Sequence, residues 1–305
     1  MRHRRLLLRS IAASPLLAWS GGRSIAEEAR ILVVADQGAV HRATASAVEV
    51  ELGRLGVPGD QVVSVPVQAG FPAGHPPAVQ VAVGAGALRA VAARPGSPLV
   101  AVQVSRMQVE AMSWPGPGKA PEDLLAIVTD QPHARWMALA DLVPVARRGV
   151  GVLLGPGTQG TQKSLERAAA ERNLPFHWEQ VGAESQIIAA LERLLARVGL
   201  LLAIPDPLVH NRHTVQPILL TAYRAGCPLI GYSESYTNAG AVLSLHSSPD
   251  QFGRQAAEGV FAALRGRPAS GIVSPRQFRV SVNATVARSL GLQLPAAPEI
   301  EERLT

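Results

Sequence analysis

LLLAIPDPLVHNRHTVQPILLTAYRAGCPLIGYSESYTNAGAVLSL, residues 200–245, holds three short apolar runs that each end in a small polar cluster. LLLAI runs into Pro205-Asp206-Pro207, PLIGY into Ser233-Glu234-Ser235, and AVLSL into His246-Ser247-Ser248. Continuous apolar runs of that length read as strands buried on both faces, and residues 209–224, between the first two, are long enough for a covering helix. The stretch is expected to form part of a parallel α/β sheet. Ligands of such sheets lie beyond the carboxyl ends of the strands, which makes Asp206, Ser233 and Glu234 candidate binding residues.

The same alternation extends in both directions. Strands are predicted at residues 30–35, 61–65, 79–83, 99–104, 124–128, 150–154, 176–181 and 278–282. Helices are predicted at 42–55, 87–93, 132–143, 158–172, 184–197 and 249–264, with a last one capped by Asn283. The strongest punctuation is the loop at 113–121, with three prolines and two glycines. Beyond it the order of elements begins again, without a visible sequence repeat. A chain of 305 residues exceeds what one core usually organises, so two lobes are expected. Aromatic residues make up only 4%, which suits close packing of helices on sheets.

The formal charge of +6 is concentrated at the start of the chain. Arg2, Arg4, Arg5, Arg9 and Arg23, with no acid among the first 26 residues, account for five of those charges and leave the remainder at +1. That distribution argues against nucleic acid as a partner. The basic start, an apolar run at 6–19 and the small-x-small pattern Ser24-Ile25-Ala26 read as an export signal over residues 1–26. Its route is either the general or the twin-arginine one. The single cysteine, Cys227, excludes an intrachain disulfide, and the signal holds no cysteine for a lipid anchor. The expected product is a soluble protein in the periplasm or outside the cytoplasm.

Several motifs resemble chemistry without completing it. Gly84-Ala85-Gly86, after a strand and before a helix, lacks the third glycine of a dinucleotide fingerprint because position 89 is Arg. It reads as a tight turn lining a cleft. In Gly155-Pro-Gly-Thr-Gln-Gly160-Thr-Gln-Lys163 the lysine does not follow the second glycine, so it would miss a nucleotide's phosphates. Gly231-Tyr-Ser233-Glu-Ser235 departs from a nucleophile elbow at its fifth position, and Asp250 follows His246 where a hydrolase triad needs the acid first. His210 and His213 share a spacing compatible with a metal but have no third ligand nearby, and are expected at the surface of a helix start. Asp130, after a strand and before a helix, is placed equally well to cap the helix or to face a cleft.

Asp130-Gln131-Pro132, Arg147-Arg148-Gly-Val-Gly-Val-Leu-Leu-Gly155, Leu202-Ala-Ile-Pro205-Asp206, Pro228-Leu-Ile-Gly-Tyr-Ser233, Ala239-Gly240-Ala241 and Phe278-Arg-Val-Ser-Val-Asn283 together resemble the periplasmic substrate-binding proteins of ABC transporters. The resemblance covers most of residues 124–293 and is weaker before them. After the fourth strand, where relatives carry an Asp-Pro element, this chain has Gln103-Val104-Ser105-Arg106. The resemblance implies a type I periplasmic-binding-protein architecture: α/β, with two Rossmann-like lobes, each built on a parallel sheet, joined by three crossovers around a ligand cleft. Residues 27–128 with 233–270 would form lobe one, and 129–232 with 271–305 lobe two.

The expected function is capture of a small molecule between the lobes, with amino-acid-like compounds as the candidate class, and its delivery to the subunits of an ABC permease, with no enzymatic chemistry, cofactor or metal. Candidate ligand contacts are Asp36, Gln37, Gly84, Ala85, Gln103 and Ser105 from lobe one, and Asp130, Gly155, Asp206, Ser233 and Glu234 near or across the cleft. Asp206 or Glu234 would hold an ammonium. The alternatives are a sensory protein of the same fold docking on a membrane receptor, and an exported hydrolase using Ser233.

Overall fold

In a computed structural model of the chain, residues 31–71, 76–94, 96–114 and 120–305 are described; the export signal predicted at 1–26 lies outside them. The first stretch runs β1 (Ile31–Ala35), α1 (Ala39–Arg54), β2 (Val62–Pro66), β3 (Val79–Val83), α2 (Ala85–Ala92), β4 (Leu99–Val104), α3 (Arg106–Glu110) and β5 (Leu124–Val128). The second runs α4 (His133–Asp141), β6 (Val150–Leu154), α5 (Gln162–Ala170), β7 (Phe176–Gln180), α6 (Ile187–Leu195), β8 (Leu200–Leu202), α7 (Val215–Arg224), β9 (Leu229–Gly231), α8 (Glu234–Ala239) and β10 (Leu243–His246). The chain ends with α9 (Pro249–Leu264), β11 (Gly271–Val273), β12 (Arg279–Val282), α10 (Ala284–Ser289) and α11 (Ala297–Arg303).

Two sheets result, ordered β11-β5-β4-β3-β1-β2 and β12-β10-β9-β8-β6-β7. Among the described residues every pairing is parallel except that of β10 with β12. ILVVA of β1, VQVAV of β3 and LLAIV of β5 are buried at every position because helices cover both faces of the sheet. The edge strands β2 and β7 are only partly covered. Each sheet has two apolar layers. In the first lobe Val33, Val48, Val102 and Phe252 lie in one layer, and Val34, Leu88, Ala101 and Val104 in the other. The architecture is thus a two-lobe α/β arrangement of mostly parallel sheets with flanking helices.

The crossovers differ from the sequence expectation. Residues 233–246 remain with lobe two, since β10 pairs with β9 through Leu243 and Ile230, and with β12 through Leu245 and Val280. Residues 271–273 belong to lobe one, where β11 extends the sheet beside β5. The chain therefore leaves lobe one after β5, returns between β10 and α9, and leaves again between β11 and β12. The polar cluster after β9 resembles a crossover in sequence, but pairing with β10 and the cover of Tyr236 keep the chain in lobe two.

Candidate functional site

In each lobe the connection order reverses once, between β1 and β3 in the first sheet and between β6 and β8 in the second. Such a switch point opens a crevice in which nucleotide-binding folds hold their ligand. Here a carboxylate bridges each crevice. Asp36, after β1, accepts from Gly86 N at 2.9 Å and from Ala87 N at 2.7 Å, the first turn of α2. A β-carbon on Gly84 or Gly86 would run into that carboxylate, and Gly84 also has φ of +98°. The glycine pair makes room for Asp36 and the chain's own acid takes the anion position of the helix start.

Asp206, after β8, repeats the device in lobe two. One carboxylate oxygen accepts from Gly155 N at 3.1 Å and Thr158 Oγ1 at 2.7 Å, the other from Leu208 N at 2.9 Å and Val209 N at 3.1 Å. Asp206 is 2% exposed, and a β-carbon on Gly155 would lie 2.5 Å from its Oδ2. Four donors from its own fold saturate the acceptor, which corrects the expectation of an ammonium ligand there.

Ser105 and Asp130 serve α3. Ser105 Oγ accepts from Gln108 N at 3.1 Å while Gln108 Oε1 accepts from Ser105 N at 2.8 Å, a closed capping box. Asp130 Oδ2 accepts from Arg106 N at 2.9 Å. Burial pushes the Asp130 carboxyl above its ordinary value, against the pull of the Arg106 amide and guanidinium. Thus Asp36, Ser105, Asp130, Gly155 and Asp206, all read as ligand contacts, are engaged in shaping the strand ends.

Other candidates are left with freer groups. Gln103 is 9% exposed, and its Oε1 is buried without a partner among the described residues. Ser233 occupies the cap position of α8 without making a side-chain cap bond, and Glu234 is exposed in its first turn. Ala85 is half-buried, while Gln37 is exposed with its carbonyl accepting from Arg42 Nη1. His246, required by the hydrolase alternative, bonds Ser281 Oγ through Nε2 at 2.9 Å, and burial holds its imidazole below the usual range.

The three crossovers meet in a polar cluster with little local signal in the sequence. Gln131, 3% exposed on the first crossover, donates from Nε2 to Ser247 Oγ on the second at 2.9 Å, and Ser247 Oγ donates to the Gln277 carbonyl on the third at 2.6 Å. Arg135 Nη1 donates to Gln131 Oε1 at 2.6 Å and to the Pro275 carbonyl at 3.2 Å, and its guanidinium lies 4.4 Å from the Phe278 ring centroid. The only hint in the sequence was Gln131 itself, an uncharged polar residue between a buried strand and a proline.

Between the lobes, the Met107 thioether on α3 approaches Gly157 of lobe two so closely that a β-carbon there would overlap it. His210, expected at the surface, is 7% exposed with both ring nitrogens unpartnered among the described residues. Its ring packs edge-on to Tyr232 and Tyr236, with centroids 6.1 and 5.8 Å away. Burial lowers its pKa to about 4, opposed by the charge of Asp206. The expected helix start at 209 is a turn, since α7 begins only at Val215. Among the described residues no three His, Cys, Asp or Glu side chains are grouped to hold a metal.

This geometry is two α/β lobes joined by three crossovers, and solved structures share the fold. A conserved domain protein from Vibrio cholerae is similar over 91% of this chain and 98% of its own, at 20% identity and a TM-score of 0.62. The ABC domain in complex with L-Trp from Streptococcus pneumonia covers 90% and 98% at 14% identity and a TM-score of 0.62. The ligand-free, open structure of a substrate binding protein with adhesive properties from Clostridium difficile covers 88% and 96% at 13% identity and a TM-score of 0.66. The fold is that of type I periplasmic binding proteins. No protein-family model matches the chain, and no curated protein matches it either.

Proposed function

We propose that this chain is an exported solute-binding protein that closes two lobes over a small molecule and delivers it to an ABC-type permease, without chemistry of its own. The clasp of Gln131, Ser247 and the Gln277 carbonyl carries the reading, because it ties the three crossovers into one narrow hinge. Rotation about such a hinge changes the separation of two rigid sheets whose strand ends face one another. The carboxylates of Asp36 and Asp206, each engaged by amides of its own lobe, support the same reading. Each lobe's own crevice is filled from within, which leaves the space between the lobes for the solute.

Hydrolysis through Ser233 is not supported, since Nε2 of His246 is engaged with Ser281 Oγ. Thermal unfolding against amino acids, nucleosides and sugars tests the proposal. A true solute at a hundredfold its Kd should add about 2.7 kcal/mol of stability. Small-angle scattering should show contraction with the same compound. Stabilisation without contraction would count against lobe closure.

A further inference from the structure

At the end of β4, central in its sheet, the backbone breaks register with β5 between Val102 and Val104. Gln103 is the extra residue of that bulge. Its φ is +56°, a left-handed conformation shared among non-glycine residues only by Asn173 in the described chain. As a result Val102 and Val104 face opposite apolar layers although they are two apart, and Gln103 is lifted out of the alternation. Bulges next to binding sites re-aim a side chain, and an L-residue with positive φ is retained at a conformational cost. Gln103 is also nine-tenths buried, and its Oε1 has no partner among the described residues, whereas Asp36, Ser105 and Asp130 at other strand ends of the same sheet all have intramolecular partners.

We propose that Gln103 is the solute-gripping residue of lobe one, its carboxamide meeting an uncharged group that presents an N–H or O–H donor beside an acceptor: an amide, a nucleobase edge or paired sugar hydroxyls. This rests on the solute-binding reading above. A carboxamide carries no charge to compensate an ion, but it offers an acceptor and donors in one plane. The strained backbone holds that plane at the strand end.

The full chain and its Gln103→Gly and Gln103→Asn variants are to be melted alone and with millimolar uridine, L-glutamine, L-tryptophan or D-ribose. Glycine removes the carboxamide and relieves the positive φ; asparagine keeps a shorter carboxamide and tolerates that φ. The expected result is a Gly variant that melts no lower than the parent when alone yet binds the stabilising compound about 10- to 100-fold more weakly, with the Asn variant in between. Parent-like affinity in the Gly variant would overturn the assignment while leaving solute binding intact. If none of the four compounds stabilises the parent, the solute-free melts decide. A Gly variant at or above the parent supports a residue strained for function, and one clearly below it shows that Gln103 is structural.

Discussion

Gln131 Nε2 donates to Ser247 Oγ at 2.9 Å across 116 residues of sequence, joining the first crossover between the lobes to the second. The bond lies at the centre of a chain of contacts that continues to the third crossover. It links the hinge's geometry to the stability of the whole chain. Gln131→Ala leaves the Arg135 guanidinium with one partner fewer in a half-buried setting. A loss of about 1–3 kcal/mol is expected in urea unfolding. With Ser247→Ala, a double-mutant cycle should give a coupling of about 0.5–3 kcal/mol, and additivity would mean the bond does not matter.

Asp206→Ala should destabilise the fold by about 3 kcal/mol or more, because it orphans the Gly155, Leu208 and Val209 amides and the Thr158 hydroxyl together. Glu234→Ala, at an exposed position, should stay within about 0.5 kcal/mol. Urea midpoints of the two variants separate a structural acid from a surface one.

His210 makes stability depend on pH with a defined sign. Its pKa is about 4 in the folded chain against 6.5 for a free imidazole. Between those values the unfolded chain binds more protons, so stability is fully present above pH 6.5 and is lost as pH falls toward 4. A tenfold difference in proton affinity between the folded and unfolded chain is worth about 1.4 kcal/mol, so this residue accounts for a loss of up to about 3 kcal/mol. Asp130, whose folded pKa is raised, acts in the opposite direction: stability falls as pH rises through its window. The difference between the parent and His210→Phe isolates the imidazole. Parallel pH profiles of the two proteins would contradict the assignment.

Gly157→Ala forces the Met107 thioether away from lobe two. Because the displaced group is the end of a flexible side chain, little stability should be lost, within about 1 kcal/mol. The separation of the lobes should change more. Small-angle scattering should report a larger radius of gyration for the variant, reversed in the Gly157→Ala, Met107→Ala double variant.

Much of this fold was legible in the residues because the signals were local. Runs such as ILVVA and LLAIV state their own burial, and Asn283 caps its helix as its type suggests. The site was legible only as a set of positions. Asp36, Asp130 and Asp206 do stand at strand ends, but a carboxylate's chemistry depends on which donors reach it. Those of Asp36 and Asp206 include amides 50 and 51 residues away. The short strand β11 and the six-residue α8 were not legible because they are too short to show a period of their own.

By itself, then, the sequence determined the α/β alternation, the existence of two lobes and the placing of polar residues beyond the strands, since run length and periodicity are properties of neighbouring residues. Only the tertiary structure decided which acids are spent on backbone amides, where the chain crosses between lobes, and that His210 is buried. Each of those depends on groups brought together by sheet pairing across long separations. The polar ends of residues 200–245 all belong to lobe two. Asp206 there is bonded into its own lobe, and in lobe one Gln103 is left as a buried amide whose Oε1 has no partner among the described residues.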